Sequence, residues 1–306
     1  MPTHTLPDRR GHTRPRPSSP KSTSTATAAA NPPSGAGGTG HAVRVFRVQQ
    51  AFAELGGEAH SLRELAGVSG LDDSAVHRIL QSGVGHGTFT QVGRGLYRLG
   101  SSAARLGIHA LLHAPNVDAG EVLERLRHDT DGGMVFLYSL HSLTHFCGAQ
   151  RQCTDMAVGE SDLAEFGLTP RELMTLGRSL RLGASGRVIL AHLPGPLQER
   201  ALAEPVPERP GPGVYLDDDQ LLATLPEIRE RGYAVGIEEC LHGWNSCAAP
   251  VFWGGSVMGS VVFLKPTDAM PAPSATDVAA VKAAGAGISR LLDGSAPLAV
   301  PHRGTA

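Results

Sequence analysis

Residues 61–100 read SLRELAGVSGLDDSAVHRILQSGVGHGTFTQVGRGLYRLG. Ser61 followed by Glu64 is a capping-box pattern, in which each side chain takes up a backbone N–H that the start of a helix leaves free. Leu62, Leu65, Ala66 and Val68 give that helix a short apolar face, Gly70 makes the turn, and Leu71 tucks in behind it. Asp72 or Asp73 can cap a second helix. On this helix Val76, Ile79 and Leu80 point one way, and Ser74, His77, Arg78 and Gln81 point the other. Gly83 and Gly85 each weaken a helix by up to about 1 kcal/mol, so the second helix is expected to end near Ser82. Gly93-Arg94-Gly95 then turns a hairpin between Phe89–Val92 and Leu96–Leu99. Upstream, His41 to Leu55 reads as a further helix with Val45, Val48, Phe52 and Leu55 on one face, completing a trihelical core. Helix, tight turn, helix and two-stranded wing together present the second helix to a DNA major groove. Ser74, His77, Arg78 and Gln81 are the residues expected to meet bases or phosphates, with Arg94 at the wing tip placed for a phosphate.

The remainder of the chain differs in composition. Residues 1–40 are rich in Pro, Ser, Thr, Ala and Gly and have almost nothing to bury, so they read as a disordered arm. They lack the apolar core of a secretory signal, and no apolar run reaches the length of a membrane span. With no export signal, the four cysteines (Cys147, Cys153, Cys240 and Cys247) are expected to be reduced thiols in a cytoplasm. Their spacings are not those of a zinc ribbon, although His141, His145 and His242 lie nearby; neither a metal nor a cofactor is expected. The net charge of −2 conceals a basic front and an acidic rear. Residues 1–105 hold 12 Lys/Arg against 6 Asp/Glu, whereas residues 116–293 hold 14 against 23. That asymmetry suits a DNA-binding head on a body that DNA does not touch.

Ser101 to His113 continues as a connector helix (101–115) that could also form a dimer seam. Residues 116–293 alternate strands and helices, and 294–306 form a tail. Val117–His128, Thr169–Leu176, Ser185–Leu193, Asp218–Arg231 and Asp277–Leu292 read as helices. Met134–Leu140 reads as a strand with Thr144–Ala149 as a partner, a strand begins at Gly232–Val235, and Ser246–Phe252 and Val257–Leu264 form a hairpin. The fold class is therefore α+β in two domains: a winged helix-turn-helix at 41–100, then an antiparallel sheet with helices on it, large enough to enclose a small molecule. No P-loop, nucleophile elbow or H-E-x-x-H motif is present, which argues against an enzyme. Ser185 reads as a helix-capping or ligand-touching serine, Cys247 as core, and Glu238-Glu239 as a solvated surface turn.

Taken in order, SLRELAGVSGL, SAVHRIL and GLYRLG in the head, LRLGASGRVILAHLP at 180–194, and RGYAVGIEE at 231–239 followed by CAAPVF at 247–252 resemble the IclR-type bacterial transcriptional regulators over residues 41–293. The resemblance implies a GAF-like effector-binding domain, a homodimer or homotetramer, double-stranded operator DNA as partner, and a small-molecule effector that sets DNA affinity, read here as repression. It places Ala184 and Ser185 on a loop lining the effector pocket. Ser246 stands where some members have a ligand-contacting cysteine, Gly236 where many have an acidic residue, and Phe263 and Lys265 where some have serines. Strand alternation puts 261, 263 and 265 on one face, so an inward Phe263 implies an inward Lys265 that could pair with an anionic ligand. Extra residues between Cys153 and Arg178 are expected to reshape the pocket mouth. Asp72-Asp73 and the glycines leave an alternative open, a small-molecule sensor or scaffold whose head binds DNA weakly.

Overall fold

A computed structural model of the chain describes residues 36–112, 117–141, 149–159, 178–208 and 210–294. The expected helix at 169–176 and the extra residues at 160–177 lie outside them, as do most of 144–149, Cys147 and His145.

The head is built from α1 (Ala36–Leu55), β1 (His60–Ser61), α2 (Leu62–Ser69), α3 (Asp73–Gly85), β2 (Phe89–Gly93) and β3 (Leu96–Leu99), with its strands in the order β1-β3-β2. Helix α1 begins at Ala36, five residues before the expected start, because extending a formed helix costs far less than nucleating one. Ser61 and Glu64 close the expected capping box, and Gly70 ends α2 in the left-handed conformation at φ 66°. Val48, Phe52, Leu65, Val76, Ile79, Leu80, Phe89 and Tyr97 form the core. Val68 departs from the sequence reading: it is 40% exposed, and Ser69 is buried in its stead. Helix α3 also runs three residues past Ser82. A Cβ on Gly83 would enter the Phe89 ring, which stacks on Phe52 at 5.2 Å between centroids. That glycine gives up helix propensity to let the wing strand close on the recognition helix.

Helix α4 (Ser101–Leu112) follows the wing. The body has α5 (Gly120–Asp129), β4 (Met134–His141), β5 (Gln150–Ala157), α6 (Gly183–His192), α7 (Gly195–Leu202), α8 (Asp218–Arg231), β6 (Ala234–Ile237), β7 (Trp244–Trp253), β8 (Ser256–Pro266) and α9 (Ala275–Leu292). Its antiparallel sheet runs β5-β4-β8-β7-β6. The partner of β4 on this edge is thus Gln150–Ala157 rather than 144–149, with a bulge at Leu137/Tyr138. One sheet face buries Phe136, Tyr138, Ala234, Ala248 and Val262 against Val188, Ile189, Leu221 and Ile228 of α6 and α8. The other buries Val135, Cys247, Val261 and Phe263 against Leu123, Leu126, Val281 and Ile288 of α5 and α9. Helix α7, which sequence periodicity did not show, starts with Pro196 in its first turn.

Candidate functional site

Two groups of residues were expected to carry function, and the structure positions them very differently. On α3, Ala75, Val76, Ile79 and Leu80 are buried while Ser74, His77, Arg78 and Gln81 are exposed, as helical spacing requires. Asp72 caps the helix by accepting from the Ala75 N–H at 2.8 Å, and it also accepts from Ser74 Oγ at 2.6 Å. The Ser74 hydroxyl, followed by the Ala75 N–H, holds the Asp72 carboxyl below the usual range. Gln81 Nε2 donates to the hydroxyl of the buried Tyr97 at 3.1 Å, tying α3 to β3. Ser74 and Gln81 are therefore engaged within the head, while His77 and Arg78 project outward. Arg94 sits in a two-residue turn: Gly93 pairs with Leu96, and Gly95 has φ 75°.

In the body, α6 begins at Gly183 (φ 69°) after Leu182, which offers no side-chain cap. Ser185 therefore lies in the first turn instead of capping a helix at 185. Its carbonyl accepts from Ser260 Oγ at 3.1 Å, locking α6 to β8. Gly236, Ser246, Leu264 and Met134 form one row across β6, β7, β8 and β4. A Cβ on Gly236 would sit 2.6 Å from Ser246 Oγ and 3.0 Å from the Ala184 nitrogen. Ala184, Ser185, Gly236 and Ser246 are thus gathered at the start of α6. Phe263 and Lys265 are not. Phe263 lies opposite Cys247 and is buried in the cluster facing α5 and α9. Lys265 donates to the Thr130 carbonyl in the α5–β4 turn. The two do share a face, as alternation demanded, but it is the far face of the sheet. The residues of β8 that look toward α6 are Ser260, Val262 and Leu264, because a one-residue offset in a strand exchanges faces.

Three buried arginines surround the start of α6. Arg187 grips Glu239 through Nε at 3.0 Å and Nη2 at 2.5 Å, also donates to the Val235 carbonyl, and lies 5.1 Å from the Tyr215 ring centroid. Glu239 is therefore a buried counter-ion, not part of a solvated turn. Burial pushes its carboxyl upward against the pull of Arg187. Glu238, at φ 49°, accepts from His242 Nδ1 at 2.8 Å, and its own N–H donates to Asn245 Oδ1 at 3.1 Å. Arg181 pairs with Asp218 and donates to the Leu202 carbonyl. Arg151, on β5 and 1% exposed, donates from Nη1 to the Leu182 carbonyl at 2.7 Å. Sequence reading did not single out Arg151, Arg181, Arg187 or Glu239 as a group; only the fold brings them together. Among the described residues no cluster of His, Cys, Asp and Glu could hold a metal ion, and no helix is long and apolar enough to cross a membrane.

Head and body touch beside α6. A Cβ on Gly56 would lie 3.0 Å from Pro194 Cβ, and one on Gly57 3.9 Å from Pro196 Cγ. Arg200 of α7 pairs with Glu58 at 3.0 Å.

Comparison with known proteins matches two family profiles to this chain. One, described as the IclR helix-turn-helix domain, covers residues 42–92, and the other, described as bacterial transcriptional regulator IclR C-terminal, covers residues 167–289. An HTH-type transcriptional regulator, ArcR of Halobacterium salinarum, is 27% identical over 192 residues, 62% of this chain and 70% of its own length. An IclR-type transcriptional regulator from a Silicibacter species shares the fold with a TM-score of 0.50 and 23% identity, covering 84% of this chain and 98% of that one. An IclR homologue from Microbacterium hydrocarbonoxydans, solved with 4-hydroxybenzoate, has a TM-score of 0.45 and 20% identity over 84% of this chain and all of its own (100%).

Proposed function

This chain belongs to the IclR family of bacterial transcriptional regulators, and on that premise we propose that it is a cytoplasmic repressor that releases operator DNA when a small molecule binds its C-terminal domain. The observation that carries the reading is the division of labour on α3. One side is buried in the head core, and the other holds His77 and Arg78 out to solvent. The two features that favoured a degenerate head have structural explanations. Asp72 caps α3, and Gly83 makes room for Phe89.

The effector site lies at the start of α6, among Ala184, Ser185, Gly236 and Ser246. Helix α6 runs from there to His192, and just beyond it Pro194 and Pro196 pack against Gly56 and Gly57 of the head. A ligand that shifts α6 therefore acts on the head directly, provided it binds the two head arrangements with different affinities. The functional unit is a homodimer or a pair of dimers. Leu106, Ile108 and Leu111 of α4 are 67%, 60% and 56% exposed, an apolar surface that a second copy can cover. Two heads would then read half-sites about one helical turn, or a multiple of it, apart.

Fluorescence anisotropy on a duplex from the gene's own upstream region tests this. Binding should be sequence-selective and salt-sensitive. Arg94→Ala should lower the salt slope by about 1, and Arg78→Ala should cost roughly 1–3 kcal/mol of specific affinity. Salt-insensitive or unselective binding would sink the reading.

A further inference from the structure

We propose that residues 295–303, which follow α9 and lie outside the described residues, are held in the groove between α5 and α9, with Leu298 and Val300 on its apolar floor and Arg303 paired with Asp129. The groove encloses 390 Å³ on the side of the sheet away from α6. Its floor is Val122 and Leu126 of α5 and Ala280, Ala284, Gly287 and Leu291 of α9. The small residues of α9 keep it open: even a Cβ on Gly287 would stand 3.8 Å from Val122 Cγ1. Arg125 and Arg290 form its walls. Arg125 gives its charge to Glu121 at 2.8 Å, which leaves its methylenes to line the groove.

The occupant follows from where α9 stops. Leu291 lines one end of the groove, and the helix ends one residue later, at Leu292. Gly294 then has φ 68° and donates to the Leu291 carbonyl at 3.1 Å, a left-handed turn that swings the chain off the helix axis. The next seven residues read SAPLAVP, without a charge among them, and His302-Arg303 follow. The groove has the same order. Helices α5 and α9 run antiparallel: Ser289 and Asp293 bond the end of β7 at Phe252 and Gly254, whereas the end of α5 is held by Lys265, whose partner Asn245 is at the start of β7. Val122 accordingly faces Gly287, and Asp129 lies two turns of α5 further, at the Ala280 end. The acidic end is thus the one distant from where the tail enters. Leu291 to Ala280 spans about 16 Å, and Ser295 to Arg303, extended at about 3.1 Å per residue as Pro297 and Pro301 favour, spans about 25 Å, enough for the turn and the whole groove. Neither proline brings an N–H that the apolar floor would leave unpaired. Asp129 is half-exposed, with His128 at 3.6 Å, and a guanidinium arriving along the groove completes a pair. A tethered segment also reaches the groove at an effective concentration that a second copy of the chain does not match.

Limited tryptic digestion of the full chain, followed by mass spectrometry, tests the proposal. Cleavage after Arg303 should be about threefold or more faster in Asp129→Ala and in Leu298→Asp than in the unaltered chain. Glu227→Ala, on α8 across the sheet, should leave the rate unchanged. In a second measurement, Ala283→Cys combined with Val300→Cys should form a disulfide within one chain on mild oxidation, identified by the joined peptides and by monomer mobility on a non-reducing gel. A 283–300 disulfide between two chains would give the groove to a second copy and overturn the proposal, as would the absence of that disulfide. Cleavage of Asp129→Ala or Leu298→Asp at the unaltered rate, or of Glu227→Ala as fast as either, would overturn it too.

Discussion

Helices α3 and α6 are of similar length and opposite in design. Along α3, buried and exposed residues alternate in pairs, with Ala75-Val76 and Ile79-Leu80 inside and His77-Arg78 outside. Along α6, every residue from Gly183 to Ala191 is buried. The first helix has one face committed to the core and one left for a partner. The second has none left over, so whatever it senses must enter among its neighbours. Polar groups on α3 can rely on water, whereas those around α6 need partners inside the protein.

The sharpest way to break this contrast is at Arg187. Arg187→Met leaves Glu239 buried without its partner and should cost about 3–5 kcal/mol in chemical denaturation. Pairing it with Glu239→Leu should recover much of the loss, and an unchanged midpoint in the single variant would show that the pair is not as dry as its burial indicates. Next come the two glycines of α3. Gly83→Ala should destabilise by roughly 1–3 kcal/mol because its methyl meets Phe89. Gly85→Ala, with nothing within 4 Å, should stabilise by up to about 1 kcal/mol. Equal signs in thermal melts would refute the packing argument. A smaller effect is expected at His192, which lies edge-on to Phe252 at 5.1 Å and donates from Nδ1 to the Val188 carbonyl at 2.9 Å. Burial lowers its imidazole below the ordinary 6.5. The fold therefore favours the neutral ring: its contribution is complete above pH 6.5 and is lost as pH falls through the folded value. The drop in Tm on acidification should be shallower in His192→Asn than in the unaltered chain. The smallest change is expected at the exposed Glu58–Arg200 pair. Arg200→Ala should barely move Tm yet weaken the response of DNA affinity to ligand, which separates coupling from stability in one titration.

The head was legible because its signals are local. A capping box, an αL glycine and a two-residue wing turn each lie within a few residues of their partners. The start of α1, the exposure of Val68 and the end of α3 differed, the last where Gly83 packs against Phe89, a tertiary contact that spacing does not encode. In the body, the hairpin, α8 and α9 were legible for the same reason. The site was legible only in part. Ala184, Ser185, Gly236 and Ser246 come together, but Phe263 and Lys265 fall on the opposite face, since a shift of one residue across the Gly254-Gly255 turn inverts a strand. Arg151, Arg187 and Glu239 lie far apart in sequence, and a charged residue in isolation looks solvated. Their pairing is a product of the sheet, and no periodicity reports it.

Close packing on all sides of α6 restricts how it can respond to anything that binds at its start. A rod wedged on every flank cannot roll or bend without moving many side chains at once, because packed interiors switch between arrangements more readily than they deform. Held to β8 through Ser260 and to Glu239 through Arg187, helix α6 is suited to move only as one rigid rod together with its neighbours, from Gly183 at one end to the Pro194 seat of the head at the other.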